Sequence, residues 1–376
     1  MAHFDTVIIG GGIIGCTLAR SLAAEGLKVA VVERGVPGQE ASSAAAGMLS
    51  PSAEAEKGSP LFALCRASLQ RYCQLAAELK SETGIDPHYR TEGTLLLFEN
   101  EQERQAMLPS IEWQQSQGIP IQELPQQELR ECEPRLADPV GGFYLPEDHQ
   151  IDNRLLMQSL VQSCRQRGVE FVLGKNVQEV ECNGHGVTGV ILEGDRLAAT
   201  RVVNTAGAWA GLIRVPGLPP APIRPVKGHI VALESAEEPF QHVIRSHRAA
   251  VLTYMVPRRG GRVIVGSTME EVGFDITPRA APLTRLLRAA QELCPVLEQS
   301  KVAEVWAGLR PAAPDGLPLL GPTSVEGYFV ALGHFRDGIL LAPITAEILS
   351  GWLIRGKSPL PTDALLPHRF AQFLCG

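Results

Sequence analysis

The sequence lacks an excess of positive charge, closely spaced cysteine pairs and long uninterrupted hydrophobic runs. Its 34 Lys and Arg residues are outnumbered by 41 Asp and Glu residues, so the net charge is −7. Proteins that bind nucleic acid usually present clustered positive charge, and we therefore expect no nucleic-acid partner. The hydrophobic content of 45% is that of an ordinary globular protein and excludes a disordered chain.

The cysteines and the hydrophobic segments exclude further classes of protein. The eight cysteines form no C-x-x-C pair and have no metal-ligand spacing with histidine, so we expect neither a disulfide scaffold nor a metal site. No stretch reaches about 18 apolar residues without Gly, Pro or a charge, which predicts no membrane span. The N-terminal segment lacks the basic region and the cleavage site of a signal peptide. These features together predict a cytoplasmic protein.

Glycine is abundant, with 37 residues, and its first cluster marks a nucleotide-binding unit. The β-branched run at 5–9 predicts a buried strand, and residues 13–25 have the apolar spacing of a helix. A second buried strand is predicted at 28–33, which completes a βαβ unit. The motif G-x-G-x-x-G at 10–15 connects the first strand to the helix, as in dinucleotide-binding proteins.

Each glycine of this motif has a physical role in the predicted site. Gly10 allows the tight turn, Gly12 lets the backbone approach a pyrophosphate, and Gly15 lets the helix pack closely on the strand. Glu33 ends the second strand, where a carboxylate accepts hydrogen bonds from a ribose diol and disfavours the 2′-phosphate of NADP. The motif predicts a dinucleotide but does not distinguish FAD from NAD.

The remaining elements predict two interleaved domains, since 376 residues correspond to about two domains of ordinary size. Regular elements are predicted at 153–168 (helix), 169–173, 177–181 and 189–192 (strands), 200–209 (strand and turn), 224–267 (antiparallel sheet), 278–297 (helix) and 338–354 (apolar helix). The predicted fold class is α/β (α+β), with a discontinuous cofactor domain at 1–85, 145–222 and 300–376. A substrate domain is predicted at 86–144 and 223–299.

Three segments favour FAD over NAD. Residues 200–209 resemble the second glycine motif of glutathione-reductase-type FAD proteins. Residues 41–48 are nearly all small, so the backbone there can pass close to a bulky ring system. Residues 333–340 precede the last helix and would direct its N-terminus at the flavin pyrimidine ring, where reduced flavin is negatively charged. An NAD enzyme would place its cofactor site in one contiguous half of the chain.

The chain resembles the D-amino-acid oxidase family of flavoproteins, and within it the bacterial glycine oxidases of thiamine biosynthesis. The residues that carry the resemblance are Val7–Gly15, Ser42–Leu49, Pro225–Gly228, Tyr254–Arg258, Trp306–Pro311 and Gly333–Pro343. The resemblance implies a glutathione-reductase-type FAD domain with an interleaved antiparallel-sheet domain. It also implies oxidative deamination of a small amino acid or amine, with molecular oxygen as the acceptor, in a homo-oligomer.

In this family the substrate passes hydride from its α-carbon to flavin N5, and reduced flavin then gives hydrogen peroxide. The resemblance implies that Arg310 binds the substrate carboxylate, that Tyr254 donates to the same carboxylate, and that Arg336 lies near the substrate amine. A neutral substrate amine needs no catalytic base, and we assign none. His334 is expected to have a structural role. The role of Lys227 stays open, with oxygen activation and packing as the two alternatives.

The resemblance also implies which residues contact a non-covalent FAD. Relatives that resemble sarcosine oxidase attach FAD through a cysteine, but residues 311–332 contain none. The implied cofactor-binding residues are Gly10, Gly12, Ile13, Ile14, Gly15, Glu33, Arg34, Ala41, Ser42, Ala46, Gly47, Met48, Val177, Gly207, His334, Phe335, Arg336, Asp337, Gly338, Ile339 and Leu340.

Three other functions stay open at this point. A flavoprotein dehydrogenase would pass electrons to a quinone or a protein acceptor instead of oxygen. An NAD-dependent dehydrogenase would reduce nicotinamide, and a non-catalytic FAD-binding module would turn over no substrate. The sequence does not separate the oxidase from the dehydrogenase, because oxygen reactivity depends on access to the reduced flavin.

Overall fold

Two eight-stranded β-sheets organise residues 3–246 and 253–370, which are the residues that this computed structural model describes. Its strands are β1 (His3–Ile9), β2 (Val29–Glu33), β3 (Met48–Leu49), β4 (Thr94–Phe98), β5 (Gln122–Pro125), β6 (Gly141–Leu145), β7 (His149–Gln150), β8 (Glu170–Leu173), β9 (Val177–Asn183), β10 (Gly186–Leu192), β11 (Asp195–Asn204), β12 (Arg224–Glu234), β13 (Val243–Ser246), β14 (Thr253–Pro257), β15 (Arg262–Gly266), β16 (Lys301–Ala312), β17 (Leu319–Pro322) and β18 (Tyr328–Leu332). Its helices are α1 (Ile13–Ala24), α2 (Ala41–Ala44), α3 (Pro60–Leu69), α4 (Tyr72–Thr83), α5 (Glu101–Ser116), α6 (Gln126–Cys132), α7 (Asn153–Gln166), α8 (Ala280–Leu293) and α9 (Gly338–Arg355).

The first sheet has the strand order β17-β18-β11-β1-β2-β8, and β10 and β9 extend it from β11. Strands β18, β11, β1, β2 and β8 run parallel to one another. Their β-branched sequences suit strands that are buried on both faces, and every residue of β2 is buried. Helices α1, α7 and α9 pack together beside this sheet and share one hydrophobic core with it. The parallel arrangement brings the carboxyl ends of β1, β2 and β11 to the same edge.

The second sheet has the order β16-β12-β15-β14-β13-β4-β6-β5 and is antiparallel except for the pair β13 and β4. Helix α8 packs on β12, β14 and β15 over a second hydrophobic core. The predicted α/β (α+β) fold class, with a parallel nucleotide-binding sheet and an interleaved antiparallel sheet, is confirmed.

Two predicted boundaries differ from the structure. The helix predicted at 278–297 ends at Leu293, and Pro295–Gln299 forms a separate 3₁₀ turn because proline cannot continue an α-helix. Residues 301–312, which the sequence places in the cofactor domain, form β16 and pair with β12 of the second sheet along its whole length. The division of the chain into domains otherwise stays a prediction.

Helix α9 is the long apolar helix that the sequence predicts near residue 338. By length and composition it could cross a membrane, but 72% of it is buried inside the protein. It packs against α1 and α3, and most of its residues are buried. Its apolar surface is therefore accounted for by the core of the first sheet.

Candidate active site

A cavity of about 790 Å³ lies between the two sheets. One end is lined by the carboxyl ends of β1, β2 and β11, and the other by β12, β14 and β16 of the second sheet. A ligand in this cavity would therefore contact both sheets. Ligands of α/β sheets commonly bind at the carboxyl ends of the parallel strands, as they would here.

The glycine motif forms the floor of the first end. Gly10 has a φ of +104°, and a Cβ built on it would lie 2.7 Å from the carbonyl oxygen of Thr205. A Cβ on Gly15 would collide with the carbonyl oxygen of Gly10, so α1 approaches β1 as closely as it does only because residue 15 is glycine. The motif thus has the geometry that the sequence predicts for it.

The N-terminus of α1 is suited to an anion. Its first turn contains no acidic residue that would offset the positive end of the helix dipole. The backbone N–H of Ile13 donates to Ser42 Oγ at 2.9 Å. Gly12, the residue before the helix, presents no side chain toward the cavity that it lines. These are the features of a phosphate-binding helix N-terminus.

Glu33 and Arg34 line the cavity beyond the glycine motif. The Glu33 carboxylate accepts hydrogen bonds from the backbone N–H groups of Gly11 and Gly35, both at 2.8 Å, which fix its orientation. The Arg34 guanidinium stacks over the ring of Trp209, 3.7 Å from its centroid. Val177, the predicted adenine contact, lines the same part of the cavity.

Small residues of α2 and the following turn form the middle of the cavity. A Cβ on Gly308 of β16 would collide with the Cβ of Ala44, so the two elements meet only because both residues are small. Trp306 Nε1 donates to the carbonyl oxygen of Ala44 at 3.1 Å, and Arg258 donates to that of Ala46. These bonds fix a backbone segment against which a flat ring system could lie.

His334 lies in the loop before α9 and is buried. Its Nε2 is 3.0 Å from Thr345 Oγ1, and burial lowers the pKa of the imidazole to about 3. The ring is therefore neutral near pH 7 and fits a structural role better than that of a proton carrier. The backbone N–H of Phe335 donates to the carbonyl oxygen of Pro311 at 3.0 Å, which ties this loop to the second sheet.

Arg310 marks the other end of the cavity. Its Nη1 donates to the carbonyl oxygen of Thr268 at 3.0 Å, and its Nη2 donates to Ser267 Oγ. Burial lowers the pKa of Arg310 from its ordinary value and Arg336 lowers it further, while the hydrogen-bonded hydroxyl of Tyr254 opposes the shift. A guanidinium held in one orientation can bind a carboxylate through two parallel hydrogen bonds.

Two glycines that the sequence analysis did not single out make room for these side chains. A Cβ on Gly228 of β12 would collide with the Arg310 guanidinium, which lies across the strand at that point. A Cβ on Gly266 at the end of β15 would collide with the phenol of Tyr254. The signal for both residues is a glycine inside a strand, which often marks the close approach of another group.

Sequence analysis also missed two charged residues in the cavity. Arg245 of β13 is opposite Tyr254 in the sheet and is 3% exposed. Its Nη1 donates to the carboxylate of Glu54, and Arg336 Nη2 lies 3.0 Å from Glu54 Oε2. Glu54 belongs to an acidic stretch that resembles an exposed loop, so nothing in the sequence indicates that it is enclosed by arginines.

The charge of Glu54 is maintained by these arginines. Burial by itself would raise the pKa of Glu54, but Arg245 and Arg336 outweigh burial and hold the pKa below its ordinary value. Asp148 accepts hydrogen bonds from the backbone N–H groups of Ser52 and Ala53 at 2.9 and 3.0 Å and so holds the segment that carries Glu54. Burial raises the pKa of Asp148 to about 7.

The cavity brings together nearly all of the predicted site residues. Arg310, Tyr254 and Arg336 line it, as do the predicted cofactor residues with two exceptions. Gly15 lies beneath the motif, where it is needed for packing, and Leu340 lies in the core of α9, where its carbonyl oxygen accepts a bond from Ser68.

Lys227 is not among the residues that line the cavity. Its side chain is buried, and Nζ donates to the carbonyl oxygen of Thr277 and lies 3.6 Å from Asp275. Of the two roles that the sequence left open for Lys227, packing is the one that this position supports.

The chain belongs to the FAD dependent oxidoreductase family, which matches it over residues 5–352. The resemblance stated from the sequence is thereby confirmed, and the chain is an oxidoreductase that uses FAD. Among the described residues, no cysteine lines the cavity.

Individual relatives are similar along almost the whole chain. The "Bifunctional protein ThiO/ThiG" of Trichormus variabilis is 35% identical over 97% of this chain, but this chain spans only 54% of that protein. The glycine oxidase of Pseudomonas aeruginosa is 33% identical, and the match covers 94% of this chain and 95% of that enzyme. The crystal structure of glycine oxidase from Geobacillus kaustophilus matches with a TM-score of 0.92 at 33% identity, covering 97% of this chain and 98% of the other.

The residues present fit FAD. The N-terminus of α1, whose first turn contains no acidic residue, suits the diphosphate. Glu33 is at the position of a ribose acceptor, and the small residues of α2 leave space for the isoalloxazine ring. The N-terminus of α9 faces the same cavity through Gly338, where its dipole would stabilise negative charge. The cavity continues beyond this point to Arg310, which leaves room for a small substrate.

Proposed function

We propose that the protein catalyses the oxidative deamination of glycine and other small amines, with release of a 2-oxo acid, ammonia or an amine, and hydrogen peroxide. The observation that carries this proposal is Arg310, whose fixed guanidinium lines the cavity opposite the dinucleotide-binding motif. It would bind the carboxylate of an amino acid and so place the α-carbon toward the cofactor. The name glycine oxidase, borne by relatives of similar length, supports the same substrate class.

The residues of this chain would bind and orient the substrate. Arg310 would hold the carboxylate, and the hydroxyl of Tyr254, which lines the same cavity, would donate to the same group. Because two parallel hydrogen bonds fix both position and tilt, the direction of the α C–H bond would also be fixed. FAD, when bound, supplies the hydride acceptor.

Two ionisable side chains that line the cavity are poorly suited to act as a general base near pH 7. The low pKa of Glu54 makes it a weak base, and the neutral imidazole of His334 is already bonded to Thr345. Hydride transfer from a neutral amine requires no base, so this charge arrangement is compatible with the proposed reaction. We therefore assign to Glu54 an electrostatic role and not a proton-transfer role.

The proposed substrates are glycine, sarcosine and small D-amino acids. The resemblance to glycine oxidases of thiamine biosynthesis extends the proposal to that pathway, which the similarity to proteins named ThiO/ThiG supports. A homo-oligomeric state and a cytoplasmic location stay predictions from the sequence.

The purified protein tests this proposal directly. We expect it to be yellow with bound FAD and to release peroxide with at least one of glycine, sarcosine, D-alanine and D-proline. A colourless protein that takes up no flavin would contradict the proposal. Reduction of an artificial dye without peroxide would indicate a flavoprotein dehydrogenase, and substrate-dependent reduction of NAD would indicate an NAD-dependent dehydrogenase.

A further inference from the structure

The substrate end of the cavity contains more positive charge than one carboxylate needs. Arg310, Arg336 and Arg245 all line it, and they come from β16, from the loop before α9 and from β13. Glu54 is paired with Arg245 and Arg336. The positive charge of Arg310 also helps to lower the pKa of Glu54. One carboxylate of the protein is therefore paired with both of the arginines that the substrate carboxylate does not use.

Arg245 is the unusual member of this group. It is 3% exposed, and its Nε has no hydrogen-bond partner among the described residues. A buried guanidinium with a free donor is costly unless an anion lies beside it, and Glu54 is the anion bonded to it here. Asp148 and Asp337 are further acidic neighbours of Arg245, and burial raises the pKa of both to about 7. Asp148 is also occupied by two backbone N–H groups.

We propose that Glu54 is a specificity-determining residue that restricts the site to amines with a single carboxylate. This proposal rests on the proposed function, since it concerns the selectivity of the same substrate site. With Glu54 ionised, a second carboxylate on the substrate finds Arg245 and Arg336 already paired, and it is repelled by the Glu54 carboxylate. A small uncharged substituent meets no such repulsion.

Sarcosine and iminodiacetate make this argument specific. Iminodiacetate is sarcosine with an acetate arm in place of the N-methyl group, so the two differ by one carboxylate on the amine side. Arg310 would hold the shared carboxylate of both compounds. The second carboxylate of iminodiacetate would then extend toward the arginines with which Glu54 is paired, and toward the Glu54 carboxylate itself, so the wild-type protein should discriminate against it.

Binding of non-oxidisable analogues tests the proposal without turnover. Methoxyacetate and diglycolate are the ether analogues of sarcosine and iminodiacetate, and their binding to the FAD-loaded protein can be titrated by calorimetry. We expect the wild type to bind diglycolate at least about tenfold more weakly than methoxyacetate. Glu54→Gln should raise the relative affinity for diglycolate by roughly tenfold or more, because Arg245 and Arg336 then lack their carboxylate. Glu54→Asp, which keeps the charge, should retain the wild-type preference.

Glu82 provides a matched control. It is also bonded to two arginines, Arg20 and Arg167, but it lies on α4 and does not line the cavity. Glu82→Gln therefore removes a carboxylate from a comparable pair without changing the charge of the substrate site. Its ratio of diglycolate to methoxyacetate affinity should equal that of the wild type.

The outcomes separate this proposal from the proposed function. If Glu54→Gln shifts the affinity ratio but the wild type oxidises none of glycine, sarcosine, D-alanine and D-proline, the selectivity role stands and the proposed reaction fails. If sarcosine is oxidised but wild type binds both ethers equally well, the selectivity role is overturned whether or not Glu54→Gln folds. A parallel loss of affinity for both ethers in Glu54→Gln would also overturn it, since that result indicates a purely structural residue.

Discussion

The two ends of the cavity are built from different parts of the chain. The cofactor end is formed mainly by backbone and small residues, such as Gly10, Gly12 and Ala44. The substrate end is formed by long charged side chains, among them Arg310 and Arg245, which come from different strands of the second sheet. One end depends on local backbone conformation and the other on contacts between residues far apart in sequence.

This difference explains why the two ends should respond differently to substitution. At the cofactor end, an added methyl group meets backbone atoms that cannot move independently of the sheet. At the substrate end, a changed side chain removes one hydrogen bond or one charge while the backbone stays in place. Substitutions at the first end should therefore affect cofactor binding, and those at the second end should affect substrate binding alone.

The largest effect is expected for Gly10→Ala. Its φ of +104° is unfavourable for alanine, and the new Cβ would lie 2.7 Å from the carbonyl oxygen of Thr205. We expect the loop to shift and FAD affinity to fall by at least about a hundredfold, which is equivalent to roughly 3 kcal/mol. The measurement is the FAD content of the purified variant and its reconstitution with added FAD.

Gly26→Ala is the control for backbone strain. Gly26 also has a positive φ, of +81°, but no atom lies within 4 Å of a Cβ built on it. We expect a loss of stability of about 1 kcal/mol and an unchanged FAD content. If the two variants contained equal amounts of FAD, FAD binding would not depend on the close approach of the backbone at Gly10.

Arg310→Lys is expected to have the next largest effect, at the other end of the cavity. Lysine cannot make two parallel hydrogen bonds to a carboxylate, so kcat/KM for the best small-amine substrate should fall by about a hundredfold to a thousandfold. FAD content should stay as in the wild type. Steady-state kinetics and the flavin absorbance spectrum together check this expectation.

Arg288→Lys serves as the matched control for that substitution. Arg288 lies on α8, outside the cavity, with a side chain that is 81% exposed and paired with Glu292 four residues further along the same helix. The same chemical change there should leave kcat/KM unaltered. If Arg310→Lys lost FAD together with activity, the two ends of the cavity would not be independent.

The same contrast determines how much of the site could be predicted from the sequence. Gly10 and Gly15 were identifiable because a strand, a turn and a helix follow one another within a few residues, and local spacing specifies their roles. Glu54 and Arg245 were not identifiable, because they are 191 residues apart and meet only when β13 packs beside the segment held by Asp148. Arg310 could be assigned only through family resemblance.

The fold shows a similar limit. The βαβ unit at the N-terminus was predictable, since its strands are continuous β-branched runs and its helix ends before Gly26. The sheet membership of residues 301–312 was not, because strand pairing between β16 and β12 depends on residues about 80 positions apart. Neither strand carries a local signal that names its partner.

The smallest expected effect concerns pH and tests the loop that carries Glu54. Burial raises the pKa of Asp148 from 3.8 to about 7 in the folded protein. Between these two values the unfolded chain releases a proton that the folded protein keeps, so the contribution of Asp148 to stability decreases as pH rises from about 4 to 7. Asp148→Asn removes this titration, while its amide oxygen can still accept one of the bonds from Ser52 and Ala53.

The relevant quantity is the difference in Tm between Asp148→Asn and the wild type at pH 5 and at pH 8. Asp337, whose pKa burial also raises to about 7, titrates in both proteins and largely cancels in this difference. We expect the Tm of the variant, relative to that of the wild type, to be a few degrees higher at pH 8 than at pH 5. The reason is that only the wild type has to ionise a buried carboxylate at residue 148. A difference that stays constant with pH would show that Asp148 is already ionised at pH 5, and its attraction to Arg245 would then exceed the cost of burial.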